Sequence, residues 1–199
     1  MIKTLPKFLE PVSSSVWAPD GKSFVTGCLA PERNLCQWSV HGDLLYDWGR
    51  HHRIQDLAVS SDGHILVAMD HLTQIHVYNF ITREFEYEID LKVSLSSISI
   101  SQDSRTLLVL LTDGHARLID LETRETIRVF RSGEEKGQNV IKACFGGANE
   151  SFVLTGSESK YRLQDVTNGT DHGRWRNLCL AQGQWNFDRK AGRSREGQL

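Results

Sequence analysis

The sequence contains no apolar run near the roughly 20 residues that a membrane-spanning helix needs, and residues 1–11 carry lysines among only scattered apolar side chains. Neither a membrane span nor a secretory signal is expected, and the address predicted is the cytoplasm or nucleus. Cysteine is scarce. Cys28, Cys36, Cys144 and Cys179 stand far apart with no Cys-x-x-Cys pair, so they read as reduced thiols packed in strands. A sustained 3.6-residue apolar stripe is absent, and little helix is expected. Catalytic signatures are missing as well. There is no Gly-x-Ser-x-Gly elbow, no Gly-Lys-Ser/Thr after a glycine loop, and no cysteine set beside a histidine. Ser13-Ser14-Ser15 falls in a predicted strand, and Gly146-Gly147 opens no helix. Of eight histidines only His51-His52 form a pair, and neighbours on a strand point to opposite faces, so they do not share an ion. These absences predict a chain that is not an enzyme and holds neither metal nor cofactor.

What is present is a composition near the globular norm, 39% hydrophobic and 24% charged, which points to a chain that folds in water. The net charge of −2 hides an asymmetry. Residues 171–199 hold six Arg/Lys against three Asp/Glu, a basic tail that leaves −5 for residues 1–170. Scattered cations of this kind give only a faint electrostatic footprint for nucleic acid, which needs them clustered on one surface.

The strongest signal is a repeat. The turn sequences around Asp20, Asp62, Asp103 and Asn149 each end an alternating apolar run, and they are spaced by 42, 41 and 46 residues. A second marker follows each of them: Trp38-Ser39, Tyr78-Asn79, Ile119-Asp120 and Gln164-Asp165, spaced by 40, 41 and 45. Between the markers the pattern alternates at period two with β-branched and aromatic residues, which reads as short strands. The strands expected are 13–18, 23–28, 35–39 and 44–48; then 54–60, 65–69, 74–79 and 84–89; then 95–101, 106–111, 115–120 and 125–130. Asp-Gly between such strands predicts two-residue hairpin turns with both residues at positive φ. The fold expected is all-β: four four-stranded antiparallel meanders, each burying its faces on its neighbours, stacked as a partial, open arc. The units span about 12–50, 51–91, 92–133 and 134–167. Residues 1–11 form an extension, and 168–199 read as a disordered basic tail or, alternatively, as a makeshift last strand near 175–180.

These markers resemble the WD-repeat β-propeller family. More narrowly, several runs are similar to the WD-repeat subunits of GID/CTLH ubiquitin ligases: Pro19-Asp20-Gly21-Lys22-Ser23-Phe24-Val25-Thr26-Gly27, Arg53-Ile54-Gln55-Asp56-Leu57-Ala58-Val59-Ser60, Ile75-His76-Val77-Tyr78-Asn79-Phe80, Glu86-Tyr87-Glu88-Ile89-Asp90-Leu91 and Phe145-Gly146-Gly147-Ala148-Asn149-Glu150-Ser151-Phe152-Val153. The likeness covers about residues 12–158. It implies a non-catalytic subunit that helps assemble a ligase and recruits substrates, with ubiquitin transfer left to RING-type partners. It also implies helical LisH and CTLH segments ahead of the blades and about seven blades in a full ring, where four are read here. His51 or His52 resembles the family's blade histidine, with Asp113 and Asp70 in the place of its aspartate.

The aromatics Trp17, Trp38, Trp48, Tyr46 and Tyr78 are expected in the core. Partner contacts are expected on turns, at Arg33, Arg53, His71, Asp113 and Lys136, with the polar insertion 132–138 the first place for a contact. Three readings follow: an interaction scaffold binding ligase subunits or substrates, a truncated product that self-associates through open blade edges, and a nucleic-acid module using the tail. No membrane partner is expected.

Overall fold

In the computed structural model, residues 5, 8, 10–30, 33–49, 52–131, 142–155, 161–165, 176–178, 180–181 and 184–185 are described, the last four stretches as backbone only. Apart from one 3-10 turn, Ala148–Glu150, every described element is a strand. Sheet I holds β1 (Val12–Trp17), β2 (Ser23–Cys28), β3 (Leu35–Ser39) and β4 (Leu44–Asp47). Sheet II holds β5 (Ile54–Val59), β6 (Ile65–Asp70), β7 (Gln74–Asn79) and β8 (Phe85–Asp90). Sheet III holds β9 (Leu95–Ile100), β10 (Thr106–Leu111), β11 (Ala116–Asp120) and β12 (Thr126–Phe130). Sheet IV holds β13 (Ala143–Gly146), β14 (Phe152–Thr155), β15 (Tyr161–Asp165) and β16 (Arg176–Leu178). Each is an antiparallel meander in chain order. A two-stranded ribbon, β17 (Leu180–Ala181) and β18 (Gln184–Trp185), follows. Strand β16 pairs with β15 through Tyr161 and Leu178, so the outer strand of sheet IV comes from the stretch read as tail.

Period-two alternation explains the stacking. In sheet I the pairs Val25–Gln37 and Gly27–Leu35 share one face, and Val25 and Leu35 pack with Leu57 and Leu66 of sheet II. Sheets II and III close on Val67, Ile75, Val77, Leu107, Val109 and Ile119, and sheets III and IV on Leu108, Leu110, Leu118, Ala143 and Val153. Contacts therefore run from I to II to III to IV, chiefly through the first strands β1, β5, β9 and β13, in an open arrangement. Gly27 sits where the backbones come closest: a Cβ there would lie 2.5 Å from Ile54 Cγ2.

Because each meander runs the same way, its turns sort onto two ends. The β1–β2 and β3–β4 turns and their equivalents share one end, and the β2–β3 turns share the other with the inter-sheet connections. The turns at the first end differ from the expected two-residue form. In the Asp-Gly turns there, Gly21 and Gly63 take positive φ, while Asp20 and Asp62 do not. Each aspartate instead accepts the N–H two residues on, Lys22 N to Asp20 Oδ1 at 2.9 Å and His64 N to Asp62 Oδ1 at 3.0 Å, which holds it on the right-handed side of a longer turn. Asp113 likewise stays at negative φ with Gly114 at 82°. Ser104 takes the left-handed place of Gly21 and Gly63, at φ 62°.

The outermost strands are joined by a repeated contact. The Arg83 guanidinium lies over the Tyr46 ring at 4.7 Å and that of Arg124 over Tyr87 at 4.1 Å, each arginine coming from the next sheet. Tyr87 Oη also donates to the Leu121 carbonyl at 2.6 Å. Of the aromatics expected in the core, Trp38 and Tyr78 are buried and Tyr46 and Trp48 half-buried, but Trp17 is 62% exposed. It stands on the face of sheet I turned away from sheet II, where alternation makes it look like a core residue and no sheet of the described residues covers it.

Candidate protein-interaction surface

The end formed by the β2–β3 turns and the inter-sheet connections gathers the residues singled out in the sequence. Arg33, at φ 54°, is exposed in the connection from β2 to β3; Arg53 is exposed just ahead of β5; and His71 is exposed in the β6–β7 turn. His71 and Arg53 are neighbours, the His71 N–H donating to the Arg53 carbonyl at 3.1 Å. Asp113 lies half-buried in the β10–β11 turn, its Oδ1 accepting from His115 N at 2.9 Å and lying 3.0 Å from His115 Nδ1. Lys136 and the insertion 132–138 lie outside the described residues, as do His51 and Cys179. Exposed Leu29 and Leu72 interleave with these charges, so the end presents apolar side chains between polar ones on a rigid scaffold. Asp90 and Lys92 close the next connection, Nζ to Oδ2 at 2.6 Å, and this hydrogen bond holds the Asp90 carboxyl down at about 2.

The repeat markers have structural work in the turns and strands. Ser60 and Ser101 donate to Asp62 and Asp103 at 2.5 Å, and Asp120 accepts the N–H groups of Glu122 and Thr123 at 2.9 and 2.8 Å. Hydrogen bonding to the charged form lowers the pKa of all three: Asp62 by Ser60, Asp103 by Ser101, Asp120 by the Thr123 N–H. Trp38 Nε1 donates to Thr26 Oγ1 at 2.8 Å on the face of sheet I turned away from sheet II. Asp165 ends β15, placed by its pairing with Phe152. The first end is also knitted from sheet to sheet: Ser61 donates to the Gln102 carbonyl and lies 3.2 Å from Ser104 Oγ, and Gln102 N donates to Glu150 Oε2 at 2.8 Å.

Two buried groups escaped sequence reasoning. Asp56, 4% exposed, links all four sheets near the first strands: it accepts from Ser14 Oγ at 2.8 Å, from Ile98 N at 3.2 Å, and from Lys142 Nζ at 3.1 Å. The signal for it is a carboxylate on a strand whose buried neighbours, Ile54, Leu57 and Ala58, are apolar. The second is His76, fully buried between sheets I and II and stacked on His52 at 3.6 Å. Both its ring nitrogens lack a hydrogen-bond partner among the described residues, Glu88 Oε2 standing 4.0 Å from Nδ1. Burial, aided by His52 and opposed by Asp70, pushes it down to about 4, so the ring is neutral near pH 7. Asp70, the residue matched to the family aspartate, instead closes its own turn, accepting from Leu72 N at 2.8 Å and Gln74 N at 3.1 Å. Among the described residues no three His, Cys, Asp or Glu side chains are grouped to hold a metal ion, and no helix is long and apolar enough to cross a membrane.

No protein-family model matches the chain. It is 38% identical over 154 residues to GID complex subunit 7 of Schizosaccharomyces pombe, covering 74% of this chain and 30% of that protein. It is 33% identical over 149 residues to an Arabidopsis thaliana WD repeat-containing protein, a WDS homolog, covering 74% of this chain and 28% of the relative. The chain thus spans less than a third of the length of these curated relatives. Among solved structures, that of U3-55K superposes with a TM-score of 0.67 at 16% identity, covering 82% of this chain and 51% of its own. The crystal structure of RRP9 WD40 repeats superposes at 0.61, also at 16% identity, covering 77% and 50%. At that identity the likeness concerns the fold.

Proposed function

The chain is built of WD repeats, and from that premise we propose that it is a non-catalytic scaffold whose connection end binds proteins, in the setting of a GID-type ubiquitin ligase. One observation carries this reading: the 38% identity to a protein named GID complex subunit 7 extends over 154 residues, most of the four-sheet stack. The geometry agrees with a binding role. Arg33, Arg53 and His71 stand exposed at one end of strands whose own hydrogen bonds are satisfied within the sheets. Preorganised side chains on a rigid frame lose little entropy on binding, which favours recognition by shape and charge over chemistry. In this reading the chain helps to bring ligase subunits or substrates together, in the cytoplasm or nucleus, and ubiquitin transfer belongs to other subunits.

The test is native affinity capture of the tagged full chain, followed by mass spectrometry. Recovery of RING-type ligase subunits, reduced several-fold by the double change Arg33→Glu with Arg53→Glu at unaltered thermal stability, is the expected result. Recovery of chaperones alone would sink the proposal.

A further inference from the structure

At the first end, the β3–β4, β7–β8 and β11–β12 turns are built on one plan. Each is closed by a backbone bond of 2.9 Å: Ser39 N to the Asp43 carbonyl, Asn79 N to that of Glu84, and Asp120 N to that of Glu125. The residue before each acid takes positive φ, Gly42 at 81°, Arg83 at 67° and Arg124 at 63°. Asp43, Glu84 and Glu125 are therefore equivalent positions of three adjacent sheets, 41 residues apart. Arg83 and Arg124, in the place of Gly42, lay their guanidinium groups on the Tyr46 and Tyr87 rings of the preceding sheet, which pins both turns.

Negative charge gathers on these turns. Residues 39–45, 79–86 and 120–127 hold six carboxylates against two arginines, a net −4 where the whole chain carries −2. Asp43, Glu84, Glu86, Glu122 and Glu125 are exposed, and none lies within ion-pair distance of a cation among the described residues. Their side-chain hydrogen bonds are local and neutral: Asp43 accepts from Ser39 Oγ at 3.3 Å, Glu84 from Thr82 Oγ1 at 3.2 Å and Glu86 from Asn79 Nδ2 at 3.2 Å. Large apolar side chains stand between the charges. Ile81 is 61% exposed, Phe85 53% and Ile127 57%. Singly they would be ordinary surface residues, but grouped on adjoining sheets and edged by carboxylates they have the composition of a binding surface.

We propose that this outer margin of the first end is a second interaction surface, and that its partner is a basic segment of another protein with apolar side chains interleaved. Lysine or arginine meets the carboxylates, and aliphatic or aromatic groups cover Ile81, Phe85 and Ile127. Charge complementarity selects that occupant, and the same carboxylates repel nucleic acid and anionic lipid. One acidic position per sheet lets a single segment engage neighbouring sheets together. The rim formed by Arg33, Arg53 and His71 lies at the opposite end and is basic, so the two surfaces take partners of different charge and neither reading depends on the other.

Random peptides displayed on phage, selected in parallel on the native full chain and on Ile81→Ser with Phe85→Ser, test the surface. Peptides enriched on the parent alone are expected to be basic and to carry apolar side chains. The leading peptide, synthesised and followed by fluorescence anisotropy, should bind Glu84→Gln with Glu125→Gln roughly fivefold more weakly, the loss of two exposed ion pairs, and should weaken as salt is raised. It binds Arg33→Glu with Arg53→Glu as tightly as the parent, which separates this surface from the rim. Melting temperatures check the fold of each variant, and where Phe85→Ser lowers it, Ile81→Ser with Ile127→Ser takes its place. The proposal is overturned if no peptide is enriched on the parent alone, or if those enriched lack net positive charge. Indifference of the leading peptide to the Glu84 and Glu125 changes, or loss of its binding in the Arg33 and Arg53 variant, overturns it as well.

Discussion

Acid should loosen the joint between sheets I and II, and His76 sets the size of the effect. Its ring is fully buried with no hydrogen-bond partner for either nitrogen among the described residues, and its pKa lies near 4 against an ordinary 6.5. Below pH 6.5 the unfolded chain takes up a proton at this side chain, while the folded chain does not until about pH 4. Stability is therefore full above pH 6.5, falls as the pH drops towards 4, and loses no more from this group below it. At ~1.4 kcal/mol per unit, the loss is about 3 kcal/mol, a large part of the 5–15 kcal/mol typical of a domain. With urea slopes of about 1–3 kcal/mol per molar, the midpoint should move by ~1–3 M between pH 7 and 4. The comparison is with His76→Phe, which keeps an aromatic ring against His52 and orphans no polar atom among the described residues, since neither His76 ring nitrogen has a hydrogen-bond partner there. The variant should match or exceed the parent at pH 7 and have the flatter profile. Parallel urea profiles for the two proteins from pH 7 to 4 would refute the reasoning.

Two further outcomes can be checked by denaturation. Asp56→Ala removes the acceptor shared by Ser14, Ile98 N and Lys142 and leaves a buried N–H unpaired, so a loss of about 2 kcal/mol or more is expected in urea unfolding. Gly27→Ala places a methyl 2.5 Å from Ile54 Cγ2 and should cost about 1–3 kcal/mol, with most of that cost gone in an Ile54→Ala background, as a double-mutant cycle would register.

Within a sheet the sequence was easy to read. Alternation alone placed 23–28, 35–39, 74–79 and 106–111 at the bounds that β2, β3, β7 and β10 have in the fold, because strand identity depends on neighbours one and two residues away. What depends on distant chain was not legible. Trp17 and Trp38 look equally suited to a core, yet only Trp38 has the Phe8 ring on it. Asp56 reads as a misplaced carboxylate until Ser14, Ile98 and Lys142 arrive from three other sheets. His76 reads as an ordinary strand residue until His52 of the preceding connection stacks on it. The Asp-Gly turns failed for a local reason: an aspartate that captures the amide two residues ahead has no need of positive φ. For the rim, Arg33, Arg53, His71 and Asp113 were assignable to turns from the pattern, and their common end follows from meander parity.

The two ends of the stack differ in their tolerance of change. At the first, a substitution in one turn reaches the adjacent sheet, since Ser61 holds Gln102 and Gln102 holds Glu150. At the opposite end the chain has already lengthened between the third and fourth copies, and the adjoining sheets III and IV still share an apolar core. A lineage of such chains can therefore rewrite its outward loops and acquire new targets while the arithmetic of the fold, about forty-one residues per step, stays untouched.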